Sequence, residues 1–225
     1  MSDWSCLITG ASRGIGAALA VRLAKPGRII GINYSSSHEA ALTVAKAVEE
    51  RGAKALLLKA DISNILQVDA MFARLPDSLD VLVLNAFPTP RYARLHETLP
   101  QEFERQWRVG ALGAALCCRH ALPPMMKRKS GRVVFVVTSA AQGAAPGFMG
   151  AYVSAKYALL GLAKAVEAEA GPRGVRVSCA YPGMTETDMI KDFPRPVVDA
   201  AREAAGRLST PDEVAESLAA LVEAA

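Results

Sequence analysis

Aromatic residues are scarce: 2 Trp, 5 Tyr and 6 Phe make up 6% of the 225 residues. Histidine is scarcer. His38, His96 and His120 stand far apart and lack ligand spacing, so no metal is expected. The four cysteines, Cys6, Cys117, Cys118 and Cys179, contain no C-x-x-C pair, and adjacent Cys117 and Cys118 are badly placed to bridge each other. They read as reduced core residues of a cytoplasmic protein. No run of five or six like charges occurs, and 26 Lys+Arg against 22 Asp+Glu leaves only +4. No nucleic-acid partner is expected from that balance. No apolar stretch is long and unbroken enough to span a bilayer, and Met-Ser-Asp-Trp-Ser-Cys has no basic leader, so no membrane association is expected.

What is present is 51% hydrophobic residues, rich in alanine, with 17 glycines as punctuation. Short β-branched runs alternate with longer helical ones. Strands are expected at 4–9, 28–33, 54–59, 80–84, 132–138 and 175–181. Helices are expected at 14–25, 38–51, 64–74, 101–129 and 152–170, with a last one after Thr210-Pro211, where Thr210 serves as N-cap. Pro123-Pro124 should distort the long fourth helix. Six strands alternating with six helices predict right-handed crossovers and a parallel sheet covered on both faces. The fold class is therefore α/β, a single doubly wound domain over 1–225 with no internal linker.

Between the first strand and helix lies Thr9-Gly10-Ala11-Ser12-Arg13-Gly14-Ile15-Gly16. Glycines there permit a tight turn, backbone approach to a pyrophosphate and close helix packing, while the helix N-terminus offers free N–H groups. Gly10, Ser12, Arg13, Gly14, Ile15 and Gly16 are thus candidate cofactor residues. The end of the second strand reads Asn33-Tyr34-Ser35-Ser36, without the carboxylate that would bind a ribose 2′-hydroxyl. With Arg13 able to pair a phosphate, this favours NADP(H) over NAD(H). By analogy with related sheets, Asp61 and Ile62 are placed near the adenine.

Tyr152 and Lys156 are four apart on one helix face. A nearby ammonium lowers a phenol's pKa, and such a pair can pass a proton to or from a carbonyl or alcohol oxygen. Ser139 ends the fifth strand and could hold the same oxygen. Met149, Met184, Met189, Ile190 and Phe193, with Gln142 and Phe148, are placed at the substrate end, which implies an apolar or acyl group beside the ketone.

The glycine loop, Asn85-Ala86, Ser139, Tyr152-Val153-Ser154-Ala155-Lys156 and Pro182-Gly183 together resemble the short-chain dehydrogenase/reductase family over nearly the whole chain. The resemblance implies a Rossmann-type sheet and hydride transfer between a nicotinamide cofactor and a carbonyl carbon. It casts Tyr152 as general acid, Lys156 as ribose ligand and Ser139 as polariser of the carbonyl. Asn85, Ala86, Pro182, Gly183, Thr185 and Thr187 join the cofactor set, and 184–207 resembles a substrate lid. The spacing is similar to 3-oxoacyl-acyl-carrier-protein reductases, where two basic residues dock the acidic carrier. Lys129 and Arg173 fall on those positions.

Three departures accompany the resemblance. Phe87 replaces a glycine. Gly110 stands where the family's fourth helix carries an asparagine that organises a proton-relay water. The family's usual final strand is lacking. Gly110 still offers a carbonyl and can permit a kink, so Gly110→Asn should raise turnover if the relay is impaired. Ala155, Ala158, Leu159, Leu162, Ala163 and Val166 make the 152–170 helix apolar round much of its surface. The expected assembly is a homodimer through the fourth and fifth helices, or a heteromer with a related reductase. The expected function is NADPH-dependent reduction of a ketone, on a 3-oxoacyl thioester held by acyl carrier protein. The alternatives are a dehydrogenase of free alcohols and a non-catalytic partner subunit.

Overall fold

The computed structural model describes residues 4–143 and 145–224. Six parallel strands, β1 (Trp4–Ile8), β2 (Arg28–Tyr34), β3 (Lys54–Lys59), β4 (Val81–Leu84), β5 (Gly131–Val136) and β6 (Val175–Ala180), form one sheet in the order β3-β2-β1-β4-β5-β6. The strand order reverses between β1 and β4, which opens a crevice at their carboxyl ends. This is the doubly wound Rossmann-type α/β sheet the sequence implies. Among the described residues it has six strands.

Both faces are buried because consecutive strand residues enter opposite cores. Val134 and Val136 of β5 join Cys6, Ile8, Val81 and Val83 under α1 (Gly14–Leu23), α2 (His38–Glu49) and α8 (Pro211–Glu223). Val133 and Phe135 join Leu7 and Leu82 under α3 (Ile65–Phe72), α5 (Gly113–Arg128) and α6 (Gly150–Ala170). Cys6, Cys117 and Cys118 are free and buried, and burial raises each thiol's pKa, that of Cys118 to about 12.

The fourth helix differs from expectation. It is α4 (Pro100–Trp107), then a π-helical turn over Arg108–Leu112, then α5. The irregularity lies at Gly110 and not at Pro123-Pro124, through which α5 runs unbroken. A second difference is α7 (Arg195–Ala205) inside the lid segment, where no helix was foreseen. Val197, Val198 and Ala201 recur at helical spacing opposite Asp199, Arg202 and Glu203, and Pro196, which suggested an irregular segment, sits in the first turn where proline is tolerated. No described helix is long and apolar enough to cross a membrane.

The last helix starts as its sequence dictates. Thr210 Oγ1 accepts the Glu213 N–H and the Glu213 carboxylate accepts the Thr210 N–H, a reciprocal capping box. Thr210→Ala should cost about 1 kcal/mol, or a fall in Tm of about 2–4 °C by calorimetry.

Candidate active site

The site is built on a buried polar knot at the ends of β1, β2 and β4. Thr9 Oγ1 donates to Val83 O and accepts the N–H groups of Asn85 (2.9 Å) and Ala86 (3.0 Å). Asn85 Nδ2 donates to Thr9 O at 2.9 Å and Gly10 O at 3.2 Å. Gly16 must be glycine here: a Cβ would stand 2.6 Å from both Asn85 Nδ2 and Gly10 O. The loop therefore lies flat against β4, and the first turn of α1 opens into the crevice. Arg13, its N-cap, is extended and offers no capping side chain, so the first-turn N–H groups stay available.

Two clefts meet there. The larger, about 750 Å³, is lined by Gly10, Ser12, Arg13, Gly14, Ile15 and the 33–37 segment, with Asp61, Ile62, Asn85 and Ala86 opposite. Not all of these face it equally. Asn33 is 2% exposed, and its side chain is spent internally: Oδ1 accepts the Gly10 N–H, and Nδ2 donates to Leu58 O and Ala60 O. It shapes the loop, and its side chain is not free for a ligand. Tyr34 is likewise buried, its hydroxyl 2.7 Å from His38 Nδ1. Ile62 turns into the core against Gly113, and the Asp61 carboxylate accepts the Ser63 N–H and hydroxyl. The groups left facing the cleft are Arg13, hydrogen-bonded to Ser37 Oγ, and the exposed Ser35 and Ser36. Ser37 was not among the expected residues, although it continues the serine run that points to this place.

The second cleft, about 410 Å³, contains Ser139, Tyr152 and Lys156 with Pro182, Gly183, Thr185 and Thr187. Ile15, Asn85, Phe87, Thr187 and Met189 line both clefts. Ser139 leaves the end of β5, its N–H held by Pro182 O at 3.0 Å. Tyr152 and Lys156 lie on the first turns of α6. Met149, Met184, Met189, Ile190 and Phe193 line this cleft, with Val197 and Ala201 of α7 as additions that the sequence did not point out. Phe148 stands at the lip with φ +64, stacked on Tyr92 (ring centroids 5.2 Å apart). Lys156 is the single cationic residue among the described lining.

Burial sets the titration of the pair. Lys156 is 4% exposed, donates to Val136 O at 2.8 Å, and burial lowers its pKa to about 7. Burial raises the pKa of Tyr152, against a smaller lowering by a hydrogen bond with Thr138. The expectation that the ammonium lowers the tyrosine's pKa is not met in this chain alone: Nζ stands 5.6 Å from the phenol ring, and desolvation dominates both groups.

Phe87 is the residue whose importance the sequence concealed. Its ring centroid lies 4.0 Å from Lys156 Nζ and 5.3 Å from the Tyr152 ring, which it meets edge-on. A Cβ on Gly110 would overlap the Phe87 ring. Gly110→Asn thus cannot simply restore an asparagine: it collides with Phe87, and the gain in turnover expected from the sequence is withdrawn.

Lys129 and Arg173 lie far from this site. Lys129 caps α5 in the left-handed conformation just before β5, and Arg173 follows the end of α6. Both are exposed and sit at the amino ends of β5 and β6. Ser139, Tyr152 and Lys156 sit at the other end of the same elements. The 21 residues of α6 separate the ends by about 30 Å.

Sheet order, glycine loop and crevice define a dinucleotide-binding α/β protein of the oxidoreductase type. The chain belongs to the short-chain dehydrogenase family, whose profile matches residues 5–196. A cis-4-hydroxycyclohexanecarboxylate dehydrogenase of Sinomonas cyclohexanicum is 34% identical over 220 residues, covering 96% of this chain and 87% of its own. A 3-oxoacyl-acyl-carrier-protein reductase of Synechocystis is 33% identical over 216 residues, covering 94% and 86%. Among solved structures, a short chain dehydrogenase from Burkholderia cenocepacia in complex with NADP superposes with a TM-score of 0.87 at 30% identity, over 98% of this chain and 91% of that one.

The depressed lysine has a consequence for stability. Its folded pKa, about 7, lies below its unfolded value of 10.5. The unfolded chain therefore binds the extra proton between those pH values, and wild-type stability rises with pH across that window. Lys156→Met should stabilise the fold at pH 6 by on the order of 1–3 kcal/mol, read as a rise in Tm. The advantage should shrink from pH 7 and vanish near pH 10 in a calorimetric pH series.

Proposed function

We propose that this protein is an NADPH-dependent reductase that converts an apolar ketone to a secondary alcohol. The observation that carries the reading is the convergence of Ser139, Tyr152 and Lys156 on one apolar cleft that opens into the phosphate-loop cleft. The first-turn N–H groups of α1 and the Arg13 side chain suit a pyrophosphate and a 2′-phosphate, with Ser35, Ser36 and Ser37 as hydroxyl donors. The absence of a carboxylate at the end of β2 supports the phosphorylated cofactor. When bound, the nicotinamide supplies a hydride to the carbonyl carbon. Tyr152 gives its proton to the carbonyl oxygen, and a raised pKa keeps that proton on the phenol at neutral pH. Ser139 Oγ donates a hydrogen bond to the same oxygen as negative charge develops there. Lys156, one helical turn from Tyr152, would hold the nicotinamide ribose, its ammonium anchored by Val136 O.

The substrate reading follows from the lining. Met149, Met184, Met189, Ile190 and Phe193 present apolar, adaptable surface, and no described lining cation other than Lys156 could pair a carboxylate or phosphate on the substrate. A neutral free ketone fits that cleft. Carrier-bound 3-oxoacyl substrates are a second reading, supported by the Synechocystis relative. Lys129 and Arg173 limit it: at the far end of α6, they cannot guide a carrier to the cleft of their own chain. They would serve a second copy packed antiparallel through α5 and α6, which brings one chain's basic pair beside its partner's cleft. That homodimer is part of the carrier reading and is required by it.

The test is NADPH consumption with a cyclic ketone, acetoacetyl-coenzyme A and an acetoacetyl carrier protein. Tyr152→Phe should cut turnover on every accepted substrate by about 10²–10⁴-fold. Charge reversal at Lys129 and Arg173 should spare the free ketone, and should slow the carrier substrate only if docking operates. NADPH binding without turnover on any ketone would sink the reductase reading and favour a partner subunit. Arg13→Ala should raise KM for NADPH about 10–100-fold and leave NADH-supported turnover nearly unchanged.

A further inference from the structure

Phe87 and Gly110 are far apart in sequence and meet in one contact. Phe87 follows the Asn85-Ala86 backbone that Thr9 Oγ1 holds, so its starting point is fixed. Its ring then enters the space above Gly110, in the π-helical turn, where any side chain would overlap it. From there one face covers Lys156 Nζ at 4.0 Å, and the edge meets Tyr152 at an interplanar angle of 77°. The lysine's remaining partner is Val136 O.

We propose that Phe87 is a positioning residue for Lys156: its ring face holds the buried ammonium in place, and Gly110 is the notch that admits the ring. An ammonium has three donors. One goes to Val136 O, and the side towards the π turn meets the ring's negative face in place of a polar partner. Attraction between a cation and an aromatic face is strongest where water is excluded, as it is here. Among the groups around Nζ, Tyr152 of α6 is the titratable one. β5 offers a carbonyl, the π turn a glycine and the β4–α4 loop the Phe87 ring, none of them charged. The ring thus supplies attraction that no charged side chain provides.

The inference rests on the reading of Lys156 as part of the reacting wall, but its test does not need turnover. Lysine labelled with ¹³C at the ε position, assigned with Lys156→Met, reports the Lys156 titration directly in the full chain. In the wild-type protein the ε-methylene protons should be shifted upfield by the Phe87 ring current. Phe87→Leu keeps apolar volume and removes the ring face; the Lys156 midpoint should fall by about one pH unit, tenfold in the proton dissociation constant. Phe87→Tyr should keep both signals. Gly110→Ala should displace the ring and reproduce the effect of Phe87→Leu, and the double variant should add nothing further. Unshifted ε protons in the wild type, or a Phe87→Leu midpoint that stays or rises while circular dichroism shows an intact fold, would overturn the inference. Failure of the wild-type protein to reduce any ketone, with these titrations as expected, would remove the reductase reading and leave the ring-on-ammonium contact standing.

Discussion

The buried hydroxyl of Thr9 is the constraint on which the rest of the site depends. It lies between β1 and β4, where the strand order reverses and the backbone of both strands must find new partners. By accepting the Asn85 and Ala86 N–H groups it fixes the start of the β4–α4 loop, and Asn85 returns the favour by binding the carbonyls of Thr9 and Gly10. Asn33 closes the knot from β2 through the Gly10 N–H. The glycine loop, the wall of the larger cleft and the aim of Phe87 all follow from this one cluster. Thr9 and Asn33 are buried, Asn85 is half-buried, and their polar groups satisfy one another, which favours a rigid network.

Within the frame so fixed, desolvation governs the chemistry. It acts in opposite directions on the two ionisable members of the wall: it pushes the phenol of Tyr152 up and the ammonium of Lys156 down, each towards its neutral form. A tyrosine that keeps its proton is suited to donate one to a carbonyl oxygen. A lysine pushed to about 7 titrates in the physiological range, so contacts worth only about 1 kcal/mol decide its charge. A carbonyl oxygen and an aromatic face are such contacts. The apolar lining that makes the cleft suited to a ketone is thus also what makes the lysine sensitive to its neighbours.

The fold was legible because its signals are local and repeated: β-branched runs bounded by glycine and proline, a glycine-rich turn after the first strand, Thr210 ahead of the last helix. The grouping of Ser139, Tyr152 and Lys156 in one cleft was legible for a similar reason, since i,i+4 spacing and a strand-end serine are visible without tertiary knowledge. Sequence says least where a side chain's use depends on what lies across the chain. Asn33 looks like a ligand at a strand end, but three backbone groups from β1, β3 and their flanks consume it. Ile62 borders the crevice, but its side chain also packs against Gly113 and is shared with the core. Lys129 and Arg173 were placed by resemblance, and only the parallel course of β5, β6 and α6 shows them at the opposite end from Tyr152. The helix α7 escaped because Pro194 and Pro196 at its start look like breakers, although proline fits a helix's first turn and the residues behind it are amphipathic.

Phe87 and Gly110 show how two apparent defects become one feature. Read singly, a phenylalanine in place of a glycine obstructs a cofactor wall, and a glycine in place of an asparagine removes a polar group from a helix. In the structure the volumes compensate, because the ring occupies the space that the missing side chain leaves open. Volume-conserving exchange across a contact keeps packing density where either change alone would cost stability. The exchanged pair, moreover, sits against Lys156 and Tyr152 and not at a neutral place in the core. Compensation at that spot ties the packing of the π turn to the surroundings of Lys156 and Tyr152, so a change at either residue is felt at both.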